Sequence, residues 1–266
     1  MKKKTTITSL LARKGKEPVS CLTAYDYTSA AIIDRAGIDM ILIGDSLAMV
    51  MQGRDETLGV TLDEIIYHTK LVKRGAVSAF VMADIPFGAL NSPDAGVDSC
   101  VRVIKETGAD AVKIEGYSAN IQEVIRRVTE LGINVCSHIG LMPQFVSSMG
   151  GYRIQGYENG DELMKQAKDL EAAGAKIIVL EGVELNCAKT ITAETSMLTI
   201  GIGAGVHCDG QVLVYHDVFG LYGELMPKFV KRYAEAGAVI EDAAKRYIED
   251  VKNRVFPDMD HSYMKK

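Results

Sequence analysis

Short runs of apolar, mostly β-branched residues alternate with longer amphipathic stretches from one end of the chain to the other. This rhythm marks repeated βα units around a parallel sheet, not strands and helices gathered into separate regions. About eight units can be counted, the number that closes a barrel. The spacing predicts strands at Val19 to Ala24, Met40 to Gly44, Ala79 to Ala83, Ala111 to Glu115, Asn134 to His138, Lys176 to Glu181, Leu198 to Gly201 and Gln211 to Tyr215. Most are continuous apolar runs, as parallel strands covered on both faces require. Thr61, with Glu64 three residues on, forms a capping box that opens a helix over Thr61 to Lys73. Ser92-Pro93-Asp94 opens the next one, with proline in the first turn. The fold class expected is α/β, a single (β/α)8 TIM barrel domain over residues 1–266.

Two stretches break the alternation. Asp45 to Val60 and Gly140 to Gly160, the latter glycine-rich with Tyr152 and Tyr157, are long for loops in a compact domain. Both follow strands that end in ionisable residues, which favours active-site loops. The tail beyond Gly237 alternates charge with apolar residues through Val251 and reads as a closing helix with a frayed end.

Ionisable residues fall at the C-terminal ends of the apolar runs: Asp45-Ser46 after Gly44, Asp84 after Ala83, Lys113 and Glu115 in the fourth run, His138 in the fifth and Glu181 in the sixth. In a parallel barrel these ends converge on the face where active sites are built. Carboxylates gathered in a partly desolvated pocket repel unless a cation lies between them, and their hard oxygens suit Mg²⁺. Mg²⁺ takes one or two carboxylates directly and keeps positions open for a chelating ligand. Asp45 and Asp84 are therefore the expected direct ligands, with Glu115 at the metal or just beyond it. The two-residue period puts Lys113 and Glu115 on one face of a strand. Lys113 can pair with a substrate carboxylate, and His138 can donate a hydrogen bond or relay a proton. The plainer alternatives are helix N-capping by each aspartate and a Lys113–Glu115 ion pair that needs no ligand.

Bulk properties narrow the picture further. The net charge is −5, with 30 Lys plus Arg against 35 Asp plus Glu, so no basic field attracts nucleic acid. The five cysteines are scattered and odd in number, without a Cys-x-x-Cys pair, and read as reduced, mostly buried thiols. There is no signal-peptide pattern at the start and no apolar run long enough to span a bilayer, so a cytoplasmic protein without membrane contact is expected. Gly201-Ile202-Gly203-Ala204-Gly205 lacks the final glycine and the following helix of a dinucleotide fingerprint. His68 and His261 read as exposed.

The segments Thr23-Ala24-Tyr25-Asp26-Tyr27, Gly44-Asp45-Ser46-Leu47, Ala83-Asp84-Ile85-Pro86-Phe87, Val112-Lys113-Ile114-Glu115-Gly116, His138-Ile139-Gly140-Leu141, Gly150-Gly151-Tyr152, Leu180-Glu181, Gly201-Ile202-Gly203-Ala204-Gly205 and His216-Asp217-Val218-Phe219-Gly220 strongly resemble the ketopantoate hydroxymethyltransferase family, in order, from about Thr6 to Pro257. The resemblance implies a TIM barrel of the phosphoenolpyruvate/pyruvate type, assembled as a homo-oligomer, a decamer. It implies transfer of a hydroxymethyl group from the co-substrate 5,10-methylenetetrahydrofolate to 3-methyl-2-oxobutanoate, giving 2-dehydropantoate for pantothenate and coenzyme A synthesis. One Mg²⁺ per subunit would stabilise the enolate of the oxo acid. Carried over by position, Asp45 and Asp84 match the metal ligands and Glu115 the third metal-linked carboxylate. Ser46 and Lys113 match contacts to the oxo acid, and Glu181 the proton acceptor. Met142 stands where threonine is usual, Gly182-Val183-Glu184 replaces Cys-Val-Pro, and His207-Cys208 replaces a polar pair. Two other readings share these residues: a metal-dependent C–C lyase or phosphoenolpyruvate mutase, and a non-catalytic barrel whose carboxylates are structural caps.

Overall fold

The structure, a computed structural model, describes residues 3–145, 151, 153–223 and 227–265. It divides into two compact units, one reaching Val214 and one starting at Tyr215. In the first, eight parallel strands pair in chain order and the last returns to the first: β1 (Val19–Thr23), β2 (Met40–Ile43), β3 (Phe80–Asp84), β4 (Ala111–Glu115), β5 (Val135–Gly140), β6 (Ile177–Glu181), β7 (Leu198–Ile202) and β8 (Gly210–Leu213). The helices are α1 (Ile7–Leu11), α2 (Tyr27–Ala36), α3 (Leu47–Val50), α4 (Leu62–Gly75), α5 (Pro93–Thr107), α6 (Ala119–Glu130), α7 (Gly160–Ala172) and α8 (Leu185–Glu194). The expected (β/α)8 barrel is thus the fold of this unit.

Element ends differ where pairing decides them. β5 continues two residues past His138 because Ile139 and Gly140 still pair with Leu180 and Glu181. β8 stops at Leu213 instead of Tyr215, and Tyr215–Val218 makes a helical turn. The long loop after β2 holds the one-turn helix α3, and the one after β5 holds a 3-10 turn, Pro143–Phe145. Gly150 and Tyr152 of that loop lie outside the described residues. The Thr61–Glu64 capping box forms as expected: the Glu64 N–H donates to Thr61 Oγ1 (3.2 Å) and the Thr61 N–H to Glu64 Oε2 (2.7 Å). Ser92 likewise caps α5, with Pro93 in its first turn.

The barrel interior is a packed core. Phe80 and Met82 of β3, Ala111 of β4, Cys136 of β5, Ile177 and Val179 of β6, and Leu198 and Ile200 of β7 share one buried cluster, to which Leu10 of α1 belongs. Side chains alternate faces along a strand, so the next positions on the same inward face are Asp84, Lys113 and Glu115, His138, and Glu181. The ionisable residues are therefore the uppermost layers of the core itself, laid down by the same period that fills the barrel.

Another set of aspartates sits at the opposite ends of the strands. Asp34 accepts the N–H groups of Val77, Ser78 and Ala79, just before β3, at 3.2, 3.0 and 2.7 Å. Asp39, before β2, holds Arg13 at 2.7 Å and accepts from both the Ser20 N–H and its hydroxyl. Asp110, before β4, pairs with Lys4 and accepts from the Val81 N–H, each at 2.8 Å. Asp209, before β8, takes Lys14 at 2.8 Å, the Gly15 N–H, and both the N–H and hydroxyl of Thr199. Burial would raise the carboxyls of Asp39 and Asp209, but these donors outweigh it and hold both below the usual carboxylate value.

The second unit contains α9 (Tyr215–Val218) and α10 (Ala236–Lys252). The expected helix near the end of the chain is α10, which carries i,i+4 pairs Glu241–Lys245 and Asp242–Arg246 and has no buried residue. The Tyr215 ring packs at a tilt of 60° against that of Phe219, 4.7 Å between ring centres.

Candidate active site

Five of the seven expected site residues, Asp45, Asp84, Lys113, Glu115 and His138, are buried where β2 to β5 end. Gly44 is what lets Asp45 and Ser46 turn in so tightly: a Cβ there would lie 2.8 Å from Ser46 Oγ and 3.6 Å from Asp84 Oδ2. The Asp45 N–H donates to Asp84 Oδ2 at 3.0 Å, and Lys113 Nζ donates to Asp84 Oδ1 at 2.7 Å. The register makes this pairing direct, since Asp84 is level with Lys113, and Glu115 with His138. Lys113 Nζ is also 3.9 Å from Glu115 Oε2, so the expected Lys113–Glu115 pair forms, but the shorter contact is to Asp84.

His138 stands between two carboxylates, with Nδ1 3.1 Å from Glu115 Oε2 and Nε2 3.4 Å from Glu181 Oε2. These are charge contacts, because neither ring nitrogen and not Glu115 Oε2 meets hydrogen-bonding geometry. Glu181, at the end of β6, is the more open carboxylate, its side chain 16% exposed against 1% for Glu115. Ser46 follows Asp45, and its hydroxyl lies 2.8 Å from the hydroxyl of the buried Tyr25.

The electrostatics follow from three buried carboxylates around one ammonium. Burial, reinforced by Asp84 and Glu115, raises the Asp45 carboxyl to about 7, against the opposing pull of Lys113 and Gln144. Burial works against the charged form of Lys113, yet Asp84, Glu115 and Asp45 together push it above its ordinary value, so it is an ammonium throughout the working range. Burial also disfavours a charged His138, but Glu115 outweighs it and raises the ring to about 9. Glu115 moves the other way: His138, Lys113 and the Gln144 N–H overcome its burial and lower it.

This donor set suits a hard dication. Asp84 and Glu115 act on Asp45 strongly enough to help raise it, Asp84 Oδ2 accepts the Asp45 N–H, and Glu115 Oε2 is buried without a hydrogen bond. Among the described residues no three His, Cys, Asp or Glu side chains converge as a preformed metal cage. Two carboxylates with open positions for water and ligand are what Mg²⁺ ordinarily takes.

Two contributors carried no signal as site residues in the sequence. Gln144, in the 3-10 turn after β5, donates its side-chain amide to Asp45 Oδ2 (3.0 Å) and its backbone N–H to Glu115 Oε1 (2.8 Å), tying two strand ends together. Tyr25, in the Thr23-Ala24-Tyr25-Asp26-Tyr27 segment, contributes through its hydroxyl, which meets that of Ser46. His68 departs from its expected exposure: it is half-buried, with Nδ1 2.7 Å from the Tyr25 carbonyl, because α4 packs against α2. His261 is exposed as expected. All five cysteines are free and four are buried. The glycines of Gly201 to Gly205 lead from β7 into a turn, not a helix. No helix among the described residues is long and apolar enough to cross a membrane.

Comparison with known proteins agrees with this geometry. The chain is 50% identical over 266 residues to the 3-methyl-2-oxobutanoate hydroxymethyltransferase of Pelobacter propionicus, covering 99% of this chain and 98% of that one. It is 48% identical over 244 residues to an enzyme of the same name from Thermus thermophilus, covering 91% and 93%. Among solved structures, 2,3-dimethylmalate lyase, of the PEP mutase/isocitrate lyase superfamily, aligns with TM-score 0.61 at 16% identity over 98% of this chain and 92% of its own. The phosphoenolpyruvate phosphomutase of Streptomyces platensis subsp. rosaceus aligns with TM-score 0.63 at 16% identity over 93% and 88%. These two share the fold. The profile of ketopantoate hydroxymethyltransferase matches residues 4–259, and with half of all positions shared with a full-length relative, the chain belongs to the ketopantoate hydroxymethyltransferase family and is a hydroxymethyltransferase.

Proposed function

We propose that this enzyme transfers a hydroxymethyl group from 5,10-methylenetetrahydrofolate to 3-methyl-2-oxobutanoate, giving 2-dehydropantoate, as a step of pantothenate and coenzyme A synthesis. The observation that carries the reading is the buried acidic cluster of Asp45, Asp84 and Glu115 around the single Lys113, with the more open Glu181 above it. The names of the relatives supply the substrate.

Asp45 and Asp84 would hold one Mg²⁺ per subunit, with Glu115 beside them; when bound, the cation neutralises charge on the carboxylate and ketone oxygens of the oxo acid. Phosphonopyruvate hydrolase, which shares the fold with TM-score 0.63 at 13% identity over 97% of this chain and 93% of its own, is known in complex with oxalate and Mg²⁺. Lys113, permanently cationic, pairs with the substrate carboxylate, and Ser46, oriented by Tyr25, donates a hydrogen bond to the acid. Glu181 removes the proton from C3. His138, whose ring Glu115 holds positive, lies 3.4 Å from Glu181 and can relay the proton afterwards. C3 then bonds to the donor's methylene carbon as both C–N bonds of that carbon break, one water supplies the hydroxyl oxygen, and the proton taken from C3 and one from the water end on N5 and N10 of the released tetrahydrofolate.

The same reading makes the chain one working domain over residues 1–266, in a cytoplasmic homo-oligomer, a decamer, with no nucleic-acid or membrane partner. The decisive experiment is a product assay with 3-methyl-2-oxobutanoate, omitting folate donor and Mg²⁺ in turn. Glu181→Gln is expected to lower kcat by about 10²- to 10⁴-fold and to stop exchange of the C3 proton with solvent while the acid still binds. Undiminished exchange would remove Glu181 as the base. Turnover without folate would favour the lyase or mutase alternative.

A further inference from the structure

The acidic layer is braced by a side chain that none of its strands carries. Gln144 sits in the 3-10 turn Pro143–Phe145 just after β5 and is buried. The turn is held at both ends: the Leu141 N–H donates to the Glu181 carbonyl at 2.7 Å, and the Phe145 N–H to the Met142 carbonyl at 2.9 Å. From this platform the Gln144 side-chain amide donates to Asp45 Oδ2 at 3.0 Å and to the Ile85 carbonyl at 3.3 Å. An ionised carboxylate and a carbonyl can only accept, so the amide must turn its NH2 group, with two hydrogens to give, toward this pair. The Gln144 backbone N–H donates to Glu115 Oε1 at 2.8 Å.

One residue thus engages a single oxygen on each of two carboxylates, through its side chain at Asp45 and through its backbone at Glu115. At Glu115 the other oxygen, Oε2, is buried and meets no hydrogen bond among the described residues. At Asp45 the bond resists rotation about the last torsion, which is broad in an unrestrained aspartate. Asp84 is oriented separately, by Lys113 at Oδ1 and by the Asp45 N–H at Oδ2. A fixed carboxylate matters unequally to the hard dications. Mg²⁺ demands near-ideal octahedral geometry and keeps several waters, whereas Ca²⁺ takes more oxygens in a flexible arrangement and accepts a carboxylate through one oxygen or both.

We propose that Gln144 is a positioning residue that sets the preference of this site for Mg²⁺ over Ca²⁺, by holding Asp45 Oδ2 so that Asp45 meets the cation through Oδ1. The two-oxygen grip that suits the larger ion is then disfavoured. The proposal rests on the metal reading given above. The backbone bond to Glu115 ties the turn to the third carboxylate as well, so the turn after β5 belongs to the support of the metal layer.

Calorimetric titration of the chelator-treated protein with Mg²⁺, and separately with Ca²⁺, tests this in Gln144→Met, which keeps the length of the side chain and lacks the donor. The Kd for Mg²⁺ should rise about 10- to 100-fold, as loss of a hydrogen bond to a metal-binding carboxylate implies. The Kd for Ca²⁺ should rise by about threefold at most, so that the preference for Mg²⁺ drops by about tenfold or more. Gln144→Asn, with an amide on a shorter arm, should lower the preference by a smaller factor. A preference within about twofold of the wild type in Gln144→Met, or in Gln144→Asn where that variant alone folds, would overturn the proposal. An equal loss for both ions would also overturn it, leaving Gln144 as a support for the turn and nothing more. A wild-type protein that binds no Mg²⁺, or whose Mg²⁺ affinity is untouched by Asp84→Asn, would instead defeat the metal reading, a failure seen with Gln144 in place.

Discussion

Aspartates at the N-terminal ends of the strands and carboxylates at the C-terminal ends are alike in residue type and opposite in circumstance. Asp34, Asp39, Asp110 and Asp209 each meet two or more donors, and two of them are held below the usual carboxylate value. Asp45 crowds with Asp84 and Glu115 around one lysine and is raised, while Glu115, though lowered by His138, Lys113 and Gln144, leaves its Oε2 without a hydrogen bond. Satisfied carboxylates stabilise the fold, whereas frustrated ones keep an affinity for something positive from outside. A polar residue at a strand end thus becomes informative about function only when its donors are counted.

The contrast can be broken most forcefully at Asp209. Asp209→Ala removes the carboxylate that pairs with Lys14 and accepts the N–H groups of Gly15 and Thr199, and should cost about 3 kcal/mol, lowering Tm by about 5–10 °C, while kcat of the folded enzyme stays within twofold. A loss of activity at full stability would show that the N-terminal rim is not merely structural. Asp45→Asn should act in the opposite sense. It removes a buried charge whose carboxyl is raised to about 7, so thermal stability measured with chelator at pH 8 should increase by roughly 1–3 kcal/mol. The gain should shrink near pH 5, where the wild-type group is protonated in the fold as well. Added Mg²⁺ should raise the Tm of the wild type but not of the variant, and a variant stabilised equally by Mg²⁺ would remove Asp45 as a ligand. The smallest effect concerns acid. A depressed carboxyl contributes stability that is complete above its ordinary value of about 4 and lost as pH falls through the lowered one. Asp39→Asn should therefore cost about 1 kcal/mol at pH 7, and the difference should shrink as denaturant titrations are taken to progressively lower pH below about 4.

Much of this was readable in the sequence because it is local. A charged residue closing an apolar run is visible without knowing the fold, and the barrel rule brings such ends to one face, so Asp45, Asp84, Lys113, Glu115 and His138 came together. The two-residue period also anticipated that Lys113 and Glu115 face the same way. Gln144 was invisible because its partner Asp45 is 99 positions away and a 3-10 turn has no apolar period. The half-burial of His68 depends on the packing of α2 against α4, a contact between elements that residue pattern does not encode. The end of β8 was misplaced because Tyr215 fits a strand and a helical turn equally well by composition.

The filling of the barrel has a kinetic consequence. With Met82, Cys136 and Val179 packed in one buried cluster with Leu10, the reactive layer rests on solid core rather than on a channel. Substrate and product must then use the same C-terminal face, so each turnover ends with release before the next acid can enter.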